Sequence, residues 1–453
     1  MVVDGEHYPP VVASALETLR SSDRQPVAAV FAGGSEKVAK EGIAEIGGVP
    51  VRTGEDPREA LERALEELRP DVVVDLSDEP VLDYRRRHEL AALALLQGIP
   101  YEGADFRFEP PPRPRLGAKP SLAVIGTGKR TGKTAIAAYA ARRLSEIGRR
   151  PVVVAMGRGG PEEPEVLRGD EVDLTPSDLV ALADRGRHAA SDYIEDAMLA
   201  RVPTVGCRRC GGGLAGAVGT SNVARGIALA NDLPGDTLVL EGSGSSMPPA
   251  HADATILVVP ASCPEEYLAG YFGPYRLLLA DFVVVTMCEQ PFGTPSQISR
   301  ITDRIAAAFR SSVGGRAGEP ISVVRTVFRP SPTRDIDGAT VFVATTAPES
   351  AGGPIRTYLE QQHGCRVAGI THALSDRRKL EADLAALESD GVDLLLCEIK
   401  AAGIDVATRR ALAAGLDVVY MDNLPVGVDG DDPAAMVDSA ARLAEARFEG
   451  SVR

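Results

Sequence analysis

Residues 122 to 147 pass from a short apolar run, through a glycine-rich segment, into an alanine-rich stretch with helical periodicity. This order predicts a strand at 122–125, a turn at 126–132 and a helix at 133–147. Glycines let backbone N–H groups point at phosphate oxygens, and the N-terminus of a following helix adds its positive dipole end. We therefore predict a phosphate loop that binds a nucleoside triphosphate. Its residues are Gly126, Thr127, Gly128, Lys129, Arg130, Thr131, Gly132, Lys133 and Thr134.

Two side chains at the start of the predicted helix carry the expected chemistry. Lys133 is expected to reach the β- and γ-phosphates, and the Thr134 hydroxyl is expected to bind Mg²⁺. The spacing is unusual, because five residues separate Gly126 from Gly132 and Thr127 stands where glycine is common. In this spacing the loop resembles dethiobiotin synthetase and its relatives, enzymes that use ATP to phosphorylate a carboxylate or carbamate. The resemblance implies ATP with Mg²⁺ as the cofactors.

Two other apolar runs end in residues suited to the same chemistry. The run 238–241 ends in Glu241 at a glycine turn, where a carboxylate suits Mg²⁺ directly or through water. Glu241 is therefore the second predicted metal ligand, and a turn or capping carboxylate is the alternative. The run 152–155 leads into a loop with Arg158, and carboxyl-end loops of a parallel sheet face one crevice. Arg158 is predicted to bind an anionic substrate.

Further polar loops predict a site for phosphate on the substrate. Residues 204–213 combine Arg208 and Arg209 with three successive glycines, so bare backbone and guanidinium groups can both approach a phosphate. Lys400 has two interpretations, a group completing the substrate pocket or a charge at the end of a strand. The predicted substrate contacts are Arg130, Arg158, His188, Arg208, Arg209, Gly211, Gly212 and Lys400. Whether Cys207 and Cys210 bind a metal stays open, because zinc would need two more ligands.

Strand and helix signals alternate along the chain, which predicts an α/β fold with parallel sheets. Residues 1–112 are expected to form a Rossmann-like parallel-sheet domain. The proline-rich segment 109–120 breaks the periodicity and marks the boundary to a P-loop core of the dethiobiotin synthetase type at 118–330. Residues 331–453 are expected to form a C-terminal α/β extension. This part is either a third domain or a continuation of the second sheet.

Composition excludes several classes of partner. The net charge of −15 and the absence of tryptophan argue against a nucleic-acid partner, since such proteins usually carry a basic domain or stacking aromatics. No apolar run reaches the length of about 18 residues that a membrane span needs. The N-terminus has no signal-peptide pattern. Six scattered cysteines fit a reducing cytoplasm. The apolar segment 267–279 leaves room for a homodimer.

Several segments together resemble the cyclic 2,3-diphosphoglycerate synthetases, among them Gly206-Cys-Arg-Arg-Cys-Gly-Gly-Gly213. The other segments are 3–8, 75–80, 126–134, 156–165, 272–274, 344–348, 398–402 and 405–408. The resemblance implies an enzyme that closes 2,3-diphosphoglycerate through an internal phosphoanhydride while ATP becomes ADP and phosphate. Crowding several phosphates requires positive charge. The residues predicted to act in catalysis are Lys129, Lys133, Arg158, Arg208 and Arg209.

Two other functions stay open at this point. One is a kinase or ligase of the dethiobiotin synthetase group that acts on another small carboxylate or phosphorylated acid. The other is a partitioning ATPase, which needs a lysine where this chain has Gly128, so the sequence counts against it. In the N-terminal part, Asp4, His7, Asp75 and Asp78 follow predicted strands. They line a small metal or effector site, or they cap the following helices.

Overall fold

The computed structural model describes residues 1–34, 44–188, 192–313, 318–385 and 391–452. The chain divides into two compact units. The first comprises Met1–Pro112, Pro264–Ala280 and Asp303–Ile321, and the second comprises Arg113–Cys263, Asp281–Thr302 and Ser322–Arg453. Within the described ranges, no helix is long and apolar enough to cross a membrane.

The first unit begins with short strands that alternate with helices. They are β1 (Val2–Val3), α1 (Pro9–Ser21), β2 (Ala29–Phe31), β3 (Glu45–Ile46), β4 (Val49–Arg52), α2 (Pro57–Leu68), β5 (Val73–Val74), α3 (Tyr84–Leu96), β6 (Tyr101–Glu102) and β7 (Arg107–Phe108). Strands β1, β2 and β4 are parallel, and β3 is an antiparallel edge. Strands β5 and β6 are parallel and β7 is antiparallel. A parallel bridge from Val2 to Asp75 connects the two sheets.

Local capping explains where α2 and α3 begin. Helix α2 begins after Asp56, whose carboxylate accepts a hydrogen bond from the Arg58 N–H at 2.9 Å. Helix α3 begins after Asp83, which accepts from the Arg86 N–H at 2.9 Å. Side-chain caps therefore decide both helix starts.

The rest of the chain supplies the elements of the second unit, together with α8 and α9 of the first. The strands are β8 (Ser121–Gly126), β9 (Pro151–Gly157), β10 (Glu165–Arg168), β11 (Pro203–Cys210), β12 (Thr220–Ser221), β13 (Thr237–Glu241), β14 (Ala254–Pro260), β15 (Phe282–Thr286), β16 (Ser322–Pro332), β17 (Thr340–Ala344), β18 (Arg366–Thr371), β19 (Leu394–Glu398) and β20 (Asp417–Gly427). The helices are α4 (Lys133–Glu146), α5 (Pro176–Asp184), α6 (Asp192–Ala200), α7 (Val223–Asp232), α8 (Glu266–Ala269), α9 (Gly273–Leu279), α10 (Pro295–Ala306), α11 (Gly352–His363), α12 (Arg377–Asp383), α13 (Arg409–Ala413) and α14 (Pro433–Val452). The described residues also include a 3-10 turn at Glu349–Ala351 and a π-helix at Gly403–Thr408.

One large sheet runs through the second unit in the order β10-β11-β9-β13-β8-β14-β15-β16-β20-β19-β17-β18, with β12 on β11. Seven strands that are adjacent in this order are all parallel, namely β11, β9, β13, β8, β14, β15 and β16. Their carboxyl ends therefore lie at one edge. Every residue of β8 and β9 is buried, as expected for central strands covered on both faces. The predicted α/β fold with a P-loop core is confirmed.

Strand β16 determines where the C-terminal strands lie. Its residues Ser322 to Arg325 pair in parallel with β15, whereas residues 326–332 pair antiparallel with β20. At about 3.3 Å per residue, this second part runs roughly 20 Å past the carboxyl edge of the parallel strands. Leu122 of the core and Leu395 of β19 belong to one apolar cluster. The last strands therefore continue the second sheet, and the limit expected at residue 330 falls inside β16.

Candidate active site

The predicted phosphate loop connects β8 to α4 at the carboxyl edge of the sheet. The Thr131 carbonyl accepts a hydrogen bond from Thr286 Oγ1 at 2.8 Å, which ties the loop to the end of β15. Gly132 has a φ of +90°, and a Cβ there would lie 2.4 Å from Phe328 Cζ. Only glycine suits both this backbone conformation and this close approach.

Lys133 begins α4 with a nearly buried side chain. Its Nζ donates to the Gly128 carbonyl oxygen at 2.7 Å, within the loop itself. Burial lowers the pKa of Lys133 to about 8, and the nearby Glu241 carboxylate opposes that shift. Lys129 and Arg130 are exposed in the same loop. The loop therefore holds one buried and two exposed cations.

The next residue along α4 contacts the predicted second metal ligand. Thr134 Oγ1 donates to Glu241 Oε1 at 2.7 Å, and Glu241 is buried at the end of β13. Glu241 Oε2 and both carboxyl oxygens of Asp196 are buried, and no other described side chain or backbone N–H donates to them. The two carboxyls face each other and share a hydrogen bond only while one of them is protonated. Burial and the charge of Asp192 raise the pKa of Glu241 to about 8. Burial and the charge of Glu241 raise the pKa of Asp196 well above its usual range.

These buried, facing carboxyl oxygens fit a divalent cation. Carboxylate and hydroxyl oxygens are the ligands that Mg²⁺ prefers. In the part of the chain that the structure describes, no three acidic, histidine or cysteine side chains form a metal cluster. A cation beside Thr134 and Glu241 would therefore complete its shell with phosphate oxygens and water.

Helix α6 brings three acids to this region that the sequence analysis missed. Asp192, Glu195 and Asp196 are three and four residues apart, so they share one face of the helix. Burial raises the pKa of Asp192, while the charges of Lys400 and Lys133 oppose the shift. The signal was present in the sequence as three acids at helical spacing within an otherwise apolar helix.

Two of the predicted arginines converge beyond the phosphate loop. Arg158 follows β9 and Arg209 lies in β11. A Cβ on Gly244 would lie 3.1 Å from Arg158 Nη2 and 3.2 Å from Arg209 Nη2. Arg209 is held by donating to the Ser243 carbonyl at 2.7 Å and the Gly211 carbonyl at 3.0 Å. Burial and the charge of Arg158 lower the pKa of Arg209.

The structure does not bring Arg208 to the same place. Successive side chains of a strand point to opposite faces, and Arg208 Nη2 lies 3.7 Å from Glu162 Oε1 instead of beside Arg209. The same alternation separates the two cysteines. Cys207 is buried, which raises its pKa to about 12, whereas Cys210 is exposed. The pair does not form a joint metal site within the described residues.

His188 and Lys400 border this region from different elements. A Cβ on Gly159 would lie 2.9 Å from His188 Cδ2, so His188 packs against the loop that carries Arg158. Lys400 Nζ donates to both carboxylate oxygens of Glu195, at 2.8 and 2.7 Å. Burial raises the pKa of Glu195 to about 7, although Lys400 opposes the shift. Lys400 therefore pairs with the acidic face of α6.

In the first unit, the polar residues after the strands bond to one another and to the backbone. Asp4 accepts from His7 Nδ1 at 2.8 Å and from the Asp78 N–H at 2.7 Å. Asp75 accepts from Arg87 Nε at 2.7 Å. These contacts organise turns, and no metal cluster occurs among the described side chains.

A glycine loop between a strand and a helix, with Lys133 and Thr134 at the helix start and Glu241 at a neighbouring strand end, defines a P-loop nucleotide-binding protein. Models of the cyclic 2,3-diphosphoglycerate synthetase match three segments. The N-terminal domain matches residues 1–109, the P-loop domain matches 121–313 and the C-terminal domain matches 332–424. The chain therefore belongs to the cyclic 2,3-diphosphoglycerate synthetase family, and it is an enzyme.

Curated relatives agree with this assignment over almost the full chain. The cyclic 2,3-diphosphoglycerate synthetase of Methanothermobacter thermautotrophicus is 47% identical, over 95% of this chain and 92% of the relative. That of Methanothermus fervidus is 45% identical, over 94% and 93%. That of Rubrobacter xylanophilus is 46% identical, over 95% of this chain and 94% of the relative. The resemblance stated from the sequence segments is confirmed.

Proposed function

We propose that this enzyme uses ATP to close 2,3-diphosphoglycerate into its cyclic form through an intramolecular phosphoanhydride, releasing ADP and phosphate. Its relatives carry the name of that product. The observation that supports the proposal best is the convergence of Arg158 and Arg209 beside the phosphate loop. Burial is the main cause that lowers the pKa of Lys133, and the charges of Arg158 and Arg209 lower it further. The three cations therefore interact.

The charge distribution suits a substrate with two phosphates. The chain carries a net charge of −15, yet Lys133, Arg158 and Arg209 interact at the carboxyl edge of the parallel strands. Bringing the phosphates of ATP and of the substrate together requires local neutralisation of their charge. The loop cations suit the nucleotide, and the two arginines form a second anion subsite.

The reaction balances in two steps. A phosphate oxygen of the substrate attacks the γ-phosphorus of ATP, so the bond to ADP breaks and the substrate carries a pyrophosphoryl group. An oxygen of the neighbouring substrate phosphate then attacks the phosphorus next to the carbon skeleton, and inorganic phosphate leaves. Both nucleophiles are already anionic, so the role of Lys133, Arg158 and Arg209 is to hold and neutralise phosphates rather than to remove a proton.

Thr134 and Glu241 are the residues that would hold Mg²⁺. Bound there, the cation would neutralise charge on the nucleotide phosphates. The fit rests on Glu241 Oε2 and the two Asp196 oxygens, which are buried, face each other and accept from no other donor among the described residues. Thr134 positions Glu241 by donating to its other oxygen at 2.7 Å.

The test is to incubate the purified enzyme with ATP, Mg²⁺ and 2,3-diphosphoglycerate and to record phosphorus NMR spectra. A phosphoanhydride signal of the ring should appear together with ADP and phosphate. ATP turnover that is indifferent to the diphosphoglycerate would exclude the proposal and favour a kinase or ligase acting on another acid.

A pair of arginine variants tests the second anion subsite. Arg158→Ala should lower kcat/KM for 2,3-diphosphoglycerate by about tenfold to a hundredfold, since hydrogen bonds to charged groups contribute about 1.5–3 kcal/mol. Arg150→Ala is the matched control, because Arg150 precedes the same strand β9, is 71% exposed and pairs with Asp236. Its kinetic constants should equal those of the unmodified enzyme.

We also propose a cytoplasmic enzyme that binds no nucleic acid and forms a homodimer. None of the six cysteines forms a disulfide bond, which suits a reducing compartment. Tyr267 and Tyr271 are about half exposed within the apolar segment that offers a surface to a second copy. Sedimentation velocity would distinguish a dimer from a monomer.

A further inference from the structure

A tight turn lies between the metal-binding strand end and the two converging arginines. It follows Glu241. The backbone N–H of Ser243 donates to the Ser246 carbonyl oxygen, and the N–H of Ser246 donates to the Ser243 carbonyl oxygen, both at 3.0 Å. Both serines are buried. Gly244 lies between them with a φ of +61°, a conformation that favours glycine. The turn therefore presents a residue without a side chain at a fixed place.

The two guanidinium groups approach that place from different strands. A Cβ on Gly244 would be 3.1 Å from Arg158 Nη2 and 3.2 Å from Arg209 Nη2, closer than ordinary contact. The absence of a side chain therefore leaves open the space that both guanidinium groups face. Arg209 is anchored by the Ser243 carbonyl at 2.7 Å, whereas Arg158 is exposed. Of the two arginines, Arg209 is therefore held in place and Arg158 reaches solvent.

This arrangement calls for an anion. Two like charges that face one small space repel each other, and a phosphate between them removes the repulsion. Arg209 also keeps a buried Nε–H without a partner among the described residues. Planar guanidinium groups can each bind phosphate oxygens through paired hydrogen bonds, which a single lysine cannot do.

We propose that Gly244 determines substrate specificity by keeping the space between Arg158 and Arg209 open for the second phosphate of the substrate. This inference rests on the proposed function, and it adds a residue that the sequence analysis did not select. Any side chain at position 244 would fill the space, and one with an acceptor oxygen would also bind the two guanidinium groups in place of phosphate.

The experiment compares Gly244→Asn with Gly338→Asn. Asparagine tolerates left-handed backbone better than most residues, and its amide oxygen can accept from both arginines. Gly338 has a φ of +71° and nothing within 4 Å of a Cβ, so its variant reports the backbone effect alone. Gly244→Asn should raise KM for 2,3-diphosphoglycerate about tenfold or more, because the substrate loses at least one charge-assisted hydrogen bond. The dissociation constant for ADP should stay within about twofold of that of the unmodified enzyme.

The preference for two phosphates gives a second readout. In the unmodified enzyme, 3-phosphoglycerate, which has one phosphate, should compete weakly with 2,3-diphosphoglycerate. In Gly244→Asn this difference should shrink, and it should stay unchanged in Gly338→Asn. If Gly244→Asn fails to fold, Arg158→Lys replaces it. Lysine at this exposed position keeps the positive charge but lacks the paired N–H donors of a guanidinium group.

The outcomes separate the inference from the function on which it rests. If the unmodified enzyme forms no ring phosphoanhydride, the proposed function fails and the inference fails with it. If the unmodified enzyme forms the ring and Gly244→Asn or Arg158→Lys keeps the original KM and preference, only the inference is overturned.

Discussion

Replacing Asp196 by asparagine should stabilise the metal-free enzyme, because the buried carboxyls of Asp196 and Glu241 face each other and can share a hydrogen bond only while one of them is protonated. An amide at position 196 would offer an N–H donor to Glu241 Oε2 and remove one of two facing acids. An unsatisfied buried polar group costs about 1–3 kcal/mol. We expect Asp196→Asn to increase the free energy of unfolding by about that amount at pH 8.

The gain should depend on pH in a direction set by the pair of acids. The folded-state pKa of Glu241 is about 8, above its ordinary 4.5, so the folded protein binds more protons between these values. Stability contributed by this pair therefore falls as pH rises through that window. The advantage of Asp196→Asn should be small near pH 5, where the Glu241 carboxyl is protonated, and should grow toward pH 8.

Urea unfolding in the presence of a chelator, at pH 5 and pH 8, measures both effects. Asp253→Asn is the matched control, because Asp253 is equally buried but accepts from the Ser121 N–H at 2.9 Å and from Arg115 Nη1 at 2.7 Å. This variant should lose stability. An Asp196→Asn protein that unfolds at lower urea than the unmodified enzyme at pH 8 would refute the reasoning.

Three further perturbations test the site. Burial lowers the pKa of Lys133 to about 8, so its ammonium group loses its charge as pH rises through that value. The affinity for ATP should weaken over the same range. An affinity that stays constant with pH in titration calorimetry would contradict this. Gly132→Ala should lower the thermal midpoint more than Gly148→Ala does. Both glycines have positive φ, which alone costs about 1–2 kcal/mol for a substituted residue, but only the former meets a neighbouring ring, that of Phe328. Equal losses in calorimetric scans would count against the contact. Lys400→Met should cost about 3 kcal/mol in urea unfolding by leaving Glu195 buried and unpaired, and adding Glu195→Gln should restore part of it.

Local patterns were sufficient for the phosphate loop and for most strands. The loop needs only a strand, glycines and a helix start that are adjacent along the chain, and the structure has β8 and α4 at those places. The apolar runs at 152–155 and 238–241 lie in β9 and β13, because central strands of a parallel sheet are buried on both faces. The limit expected at residue 330 falls where strand β16 continues to Pro332.

By itself, the sequence determined the fold class, the phosphate loop and the family, because each depends on residues that are close together along the chain or on segments that occur in order. Only the tertiary structure showed that Arg209, and not Arg208, joins Arg158 at Gly244. It also placed Asp196 against Glu241, which is far from it in sequence. The physical reason is that such pairings arise from strand alternation, sheet order and the packing of α6, which no local pattern specifies.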